Sequence, residues 1–198
     1  MSLLGQAALA MWWDIAGETR VEFEHWHSHE HFPERLAIPG FLRASRWSRA
    51  DGGEGFFVLY ELADYGVLAS PAYLARLNAP TPWSARMMPQ HRNMVRSQCR
   101  VLDSRGAVLS QQMLTVRFAP AAGCEEALQS ALGTLAKALV QRPGLSGMHL
   151  LRHEKPSIAS TEARSVWTSA RMPAAAPICS SAPSLNSAAA TARNSAWS

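Results

Sequence analysis

The sequence predicts an α+β fold built from two tandem β-α-β-β-α-β units, the second of them incomplete. Three observations carry that expectation. Strand-like and helix-like stretches alternate in this order through the first half of the chain, the ferredoxin-like pattern. A fixed offset lays Pro39-Gly40-Phe41 on Pro143-Gly144-Leu145 without a gap, and lays strand on strand and helix on helix. The strands are apolar on both faces, so a helix that covers one face leaves the other needing a partner sheet. Two such sheets facing one another close a barrel. The implied units are 1–104 and 105–169, followed by a tail at 170–198.

The elements follow in order. In ALAMWWDI, 8–15, Leu9, Met11, Trp13 and Ile15 make one apolar face of a strand, and Ala8, Ala10, Trp12 and Asp14 the other. A helix is expected from Thr19 to Ala37, kinked or restarted at Pro33, which cannot donate a backbone hydrogen bond. Ile38-Pro39-Gly40 ends it. Strands at 41–48 and 55–61 flank the turn Asp51-Gly52-Gly53. Ser70-Pro71 is a cap and first-turn pair opening a helix to Asn78. The stretch 78–94 has three prolines, a Trp and three methionines, too apolar for a plain turn and suited to folding over something. A fourth strand is expected at 96–102. In the second half, 113–118 reads as a strand, 124–141 as a helix with Leu128, Leu132, Leu135 and Leu139 on one stripe, and 145–151 as a strand. The tail, rich in Ala, Ser and Pro and without a recognisable closing strand, is expected to be disordered. An alternative is that it diverged from its ancestor or is read out of frame.

Composition narrows the function classes. The chain has 198 residues and 47% hydrophobic content, enough to bury a core. Its net charge of +4 comes almost wholly from scattered arginines, with only Lys137 and Lys155 as lysines. No basic run and no nucleic-acid motif is present, so no nucleic-acid partner is expected. The cysteines Cys99, Cys124 and Cys179 are odd in number and without a CxxC pair, which argues against a disulfide framework or a zinc site. The apolar start lacks a Lys or Arg ahead of its apolar run and alternates like a strand rather than a signal peptide. No stretch reaches the ~20 apolar residues of a membrane helix. A cytoplasmic protein with no membrane partner is the expectation.

Four of the seven histidines, His25, His27, His29 and His31, fall in EHWHSHEH. At helical spacing they form two i,i+4 pairs on different sides, with Phe23, Trp26 and Glu30 centred on the side that His27 and His31 flank. They cannot converge on one ion from a single helix, and no third ligand or HExxH motif accompanies them. No metal is expected. His31 stands apart, because it precedes the Pro33 break. Glu34 at i+3 is placed to hydrogen-bond it and raise its pKa toward general acid–base duty. The competing reading is a histidine that merely caps or packs at a kink. In the repeat His31 aligns with Leu135 and Arg35 with Leu139, so a site belongs to the first half.

In EHFPERLAIPGFLRASRW the sequence resembles the dimeric α/β-barrel superfamily and, within it, the EthD-like branch. The pattern W-Y-x-x-E-H-x-P-x-x-L…P-G-F is met by Trp26, Glu30, His31, Pro33, Leu36, Pro39, Gly40 and Phe41, with His27 in place of the usual Tyr. The stretch SPAYLARLNAPTPWSARM is similar to the same group. The resemblance covers about residues 8–103 well and 110–153 more weakly, and the tail matches nothing in it. It implies a pocket between sheet and helices and a homodimer, with a small-molecule ligand and no cofactor. One implied function is a cofactor-free oxygenase or isomerase acting on an apolar or aromatic compound. His31 would be its acid–base group, with Trp12, Tyr60, Trp83 and Met87 lining the pocket and Arg43 or Arg46 holding an anionic substrate. The other is a non-catalytic ligand-binding or assembly protein on the same barrel.

Overall fold

The computed structural model describes residues 2–155 and the two-residue strand at 196–197. The expectations for the remainder of the tail lie outside the described residues. Strand β1 (Ala7–Asp14) is followed by α1 (Arg20–Trp26), a wide π turn (His27–His31) and α2 (Phe32–Leu36). Strands β2 (Phe41–Ser48) and β3 (Gly55–Leu62) form a hairpin. Helices α3 (Pro71–Asn78) and α4 (Pro82–Met87) lead into the long strand β4 (Arg92–Gly106). The second half contributes β5 (Met113–Leu114), α5 (Glu125–Leu139), β6 (Gly147–His153) and β7 (Ala196–Trp197).

The main sheet runs β2-β3-β1-β4-β6, and every neighbouring pair is antiparallel. Its first four strands keep the ferredoxin-like order, and the fold is α+β. Strand parity sorts the core into two layers. Leu9, Trp13, Phe56, Val58, Tyr60 and Leu62 face the helices and pack with Phe23 and Trp26. Ala8, Ala10, Trp47, Phe57 and Leu59 face the other way, with Trp12, Met113 and Leu151 against them. Fully burying a side chain as large as Phe23 or Phe56 stabilises the fold by about 1.5–3 kcal/mol, so these layers dominate the packing energy.

Local signals place the helical layer. The Ser70 hydroxyl accepts from Tyr73 N at 3.2 Å and Pro71 opens α3, the expected cap. The Thr81 hydroxyl caps α4 in the same way, accepting from Ser84 N at 3.0 Å. The segment after Asn78 thereby folds back over the core, and Met87 is buried there.

One expectation needs correction. Strand β4 runs well beyond 96–102, because its halves serve different neighbours. Arg92–Arg100 pairs with β1, and Cys99–Gly106 with β6. The polar stretch Asp103-Ser104-Arg105 carries no alternation to betray this. Helix α5 and strand β6 stand at the repeat offset from the α1–α2 segment and β2, and β6 extends the first sheet at the edge of β4. Among the described residues no second four-stranded sheet forms, and β5 has only two residues, paired with β7. Cys99 is a buried free thiol.

Gly40, in the turn between α2 and β2, sits at φ +95°, and a Cβ there would meet Val67 Cγ2 at 2.4 Å. Gly52 also has positive φ, +75°, but open space around it. Gly40→Ala is expected to destabilise the protein by about 2–3 kcal/mol, from backbone conformation plus overpacking. Gly52→Ala should cost about 1 kcal/mol from conformation alone. Urea unfolding of the two variants checks this; equal midpoints would contradict it.

Candidate active site

Pro33 shapes the site. A proline ring collides with the carbonyl four residues back and offers it no N–H. The chain resolves this ahead of Pro33 by widening one turn, so that Phe32 N donates to His27 O in a π pattern. The helix changes its hydrogen bonding here without breaking. Glu30 clamps the turn to α4: its carboxylate accepts from Trp26 Nε1 at 3.1 Å, Thr81 Oγ1 at 2.5 Å and Ser84 Oγ at 3.2 Å.

The histidine pairs diverge as their spacing implied. His25 and His29 are exposed and contact each other at 4.6 Å between ring centroids. His27 and His31 turn inward and stack at 5.5 Å. His31 also lies 4.6 Å from the Trp26 ring, and His27 lies 4.1 Å from Phe32. His91, just before β4, joins them at 4.8 Å from Trp13 and 6.0 Å from Trp26. Among the described residues no group of three or more His, Cys, Asp or Glu is arranged to hold a metal ion.

Burial sets the charge state of these rings. His27 and His31 both have pKa values well below the ordinary 6.5, first through desolvation and then through neighbouring charge. For His31 the charge is that of Arg35, followed by His91. For His91, burial lowers the value to about 4, although Nδ1 keeps a hydrogen bond to Met88 O at 2.9 Å. The expected Glu34–His31 pair does not form, and the His31 pKa moves down rather than up. Glu34 instead reaches Arg76 on α3 at 3.5 Å.

Arg46 crosses from β2 to the helix. It donates to Glu24 O at 3.3 Å, His27 Nδ1 at 3.2 Å and Ser28 Oγ at 3.1 Å. A guanidinium only donates, so His27 Nδ1 is the acceptor and its ring proton sits on Nε2. His31 has no such partner. Its Nδ1 is enclosed and unpaired, as are Arg35 Nη1, Tyr60 Oη and Trp13 Nε1, all on the helix-facing side. An unpaired buried polar atom costs about 1–3 kcal/mol. Several on one side of one sheet mark a place where a ligand's polar atoms would be rewarded.

The structure brings His31, Tyr60, Arg46 and Met87 to this side. Two expected residues lie elsewhere. Trp12 points to the opposite face, 4.9 Å from Phe57, and donates to Thr115 Oγ1 at 3.1 Å. Strand parity separates it from Trp13, which does face the site. Arg43 is on that opposite face too, bound to the buried Glu61 at 2.6 and 2.9 Å. Trp83 borders the helix-side core, with its ring 5.3 Å from His25 and its Nε1 donating to Glu22 at 3.2 Å. Sequence reasoning missed Trp13, Arg35 and His91. Arg35 was within reach, because His27, His31 and Arg35 recur every four residues along one helix face. Nothing local marks His91.

The three lowered histidines set a pH dependence. A histidine whose folded pKa lies below its unfolded value binds its proton more readily when unfolded. Stability is therefore full above about pH 6.5 and falls as the pH drops toward about 4, where His91 itself titrates in the folded protein. Each contributes a slope of about 1.4 kcal/mol per pH unit inside its window. Unfolding free energies measured from pH 7 to 5 should fall, and His31→Gln should flatten the slope. A slope unchanged in that variant would show that the His31 pKa is the same in the folded and unfolded chain, against the lowering that burial implies.

No protein-family profile matches the sequence, and no curated protein matches it. Solved structures resemble the fold. A protein described as a candidate monooxygenase from Fusobacterium nucleatum subsp. nucleatum superposes with a TM-score of 0.50 at 7% identity, covering 76% of this chain and 71% of its own. SnoaB, a cofactor-independent oxygenase from Streptomyces nogalater, matches with a TM-score of 0.37 at 15% identity, over 56% of this chain and 98% of its own. An antibiotic biosynthesis monooxygenase candidate from Nitrosomonas europaea gives 0.37 at 11%, over 52% and 96%. At these identities the likeness speaks to fold alone: the chain has an α+β architecture of the ferredoxin-like kind also found in the Fusobacterium protein.

Proposed function

We propose that this chain is a small-molecule enzyme of the dimeric α/β-barrel type, a cofactor-free oxygenase or isomerase acting on an apolar or aromatic compound. The carrying observation is a neutral His31 whose Nδ1 is enclosed and unpaired beside aromatic walls and Arg35. A neutral imidazole there accepts a proton from an acidic C–H or O–H of the substrate, forming an imidazolium and a substrate anion. Reprotonation at another carbon completes an isomerisation, and reaction of the anion with dioxygen opens an oxygenation. The name given to the Fusobacterium protein agrees with the second route. The helix-1 motif that contains His31 supports a place in the EthD-like branch. The two tandem units, 1–104 and 105–169, belong to the same proposal, as does a cytoplasmic location.

One observation favours the second reading, a ligand-binding protein without turnover. Among the described residues no carboxylate hydrogen-bonds His31, so a proton relay would have to pass through the ligand or water.

A homodimer is part of the proposal. Strands β2 and β6 are the sheet edges, and Leu42 on β2 is 41% exposed, an arrangement that invites pairing with a second copy. Light scattering at micromolar concentration should show a dimer; a monomer with no concentration dependence would remove this part.

Turnover is tested on a panel of hydroxylated aromatic compounds, followed by dioxygen uptake and by isomer formation. His31→Ala should lower the rate about 10²–10⁴-fold, the usual contribution of a positioned acid or base. His25→Ala, exposed on the outer side, should leave it nearly unchanged. Equal rates in the two folded variants would take His31 out of the mechanism.

A further inference from the structure

Arg35 lies on α2 and is only 7% exposed. Among the described residues no oxygen accepts a hydrogen bond from its guanidinium, and Nη1 is fully enclosed. It rests over the Tyr73 ring at 5.7 Å. The other interior arginines are treated differently. Arg46 meets a carbonyl and a hydroxyl, and Arg43 meets Glu61 through two hydrogen bonds. The neighbouring carboxylate, Glu34, accepts from Arg76 instead. A buried cation is ordinarily paired, because taking it out of water costs several kcal/mol. Among the described residues this one meets no anion and no hydrogen-bond acceptor.

Around it the walls are aromatic. Phe41 stacks on Tyr73 at 5.8 Å and meets Tyr60 edge-on at 5.6 Å, and Phe32 meets Tyr60 at 5.6 Å. The Tyr60 hydroxyl is enclosed and unpaired, a second donor without an acceptor. A guanidinium offers two parallel N–H groups matched to a carboxylate and accepts nothing. A single guanidinium with one phenol among aromatic rings suits a monoanion on a flat ring better than a doubly charged phosphate.

We propose that Arg35 and the Tyr60 hydroxyl bind the carboxylate of a small aromatic acid, which sets the ring of that ligand beside His31. The inference rests on the reading of this same site given above, and names the class of its substrate. Arg35 binds the ligand's charge, and His31 handles its proton.

The probes are benzoate and its neutral isostere benzamide, titrated calorimetrically into the full chain. Wild type should bind benzoate about tenfold or more tightly than benzamide, as a charge-assisted pair requires. Arg35→Met should abolish that preference, and the free variant should melt no lower than wild type, since an uncompensated buried charge has been replaced by an apolar chain of similar length. Tyr60→Phe should weaken benzoate binding several-fold with benzamide little changed, and it decides the matter if Arg35→Met does not fold. Equal binding of the two probes by wild type, or no benzoate binding, overturns the proposal. So does a preference that survives in Arg35→Met, or a folded Arg35→Met that melts well below wild type. The enzyme reading fails separately: an Arg35-dependent benzoate preference without any turnover would leave an acid-binding protein. Turnover that depends on His31 but not on Arg35 would sink the present inference alone.

Discussion

One missing hydrogen organises this molecule. Pro33 has no N–H to return to the preceding turn, and the helix answers by widening over His27–His31 rather than by breaking. The wide turn holds His27 and His31 stacked on the inner side and carries Arg35 inward after them. The clamp from Glu30 to Thr81 and Ser84 keeps the deformation in one geometry by tying it to a second helix. Strain at one residue is thus absorbed by two elements, and the polar side chains that result face the sheet.

The two faces of that sheet manage charge by opposite means. On the face away from the helices, Arg43 and Glu61 neutralise each other, and Glu61 also accepts from Leu4 N at 2.7 Å. That pair is complete without a ligand. On the helix face, the protein keeps its imidazoles neutral through burial and leaves guanidinium and phenol groups with donors to spare. Among the described residues the spare groups on this face are donors at Arg35, Tyr60 and Trp13 and one acceptor at the neutral His31, a chemical preference independent of any likeness to other folds.

Much of the architecture was legible in the sequence. Apolar alternation located β1, β2 and β3 to within a residue or so, and Ser70-Pro71 marked the start of α3. The opposed histidine pairs followed from helical spacing alone. The site was read less well, for physical reasons. Trp12 and Trp13 are neighbours of the same type, and choosing between them needed strand parity carried through to the helix-facing side. Glu34 was assigned to His31 by sequence proximity, but α3 packs alongside and offers Arg76. Long-range packing decides such a contest, and no local pattern records it. Arg35 was overlooked although its spacing from His31 was visible, because a charged residue on a helix is ordinarily solvated.

Strand β4 has a consequence for how the chain assembles. Its first half closes the sheet against β1, some eighty residues earlier, and its second half offers the edge on which β6 docks. The pairing of β1 with β4 encloses the helices and the hairpin between them in one loop, a contact of long sequence separation whose closure entropy must be met before it yields anything. Strand β6 has no seat until that closure is made. The chain therefore has an order of assembly written into a single strand, with the first half serving as template and the later strand as a dependent that cannot precede it.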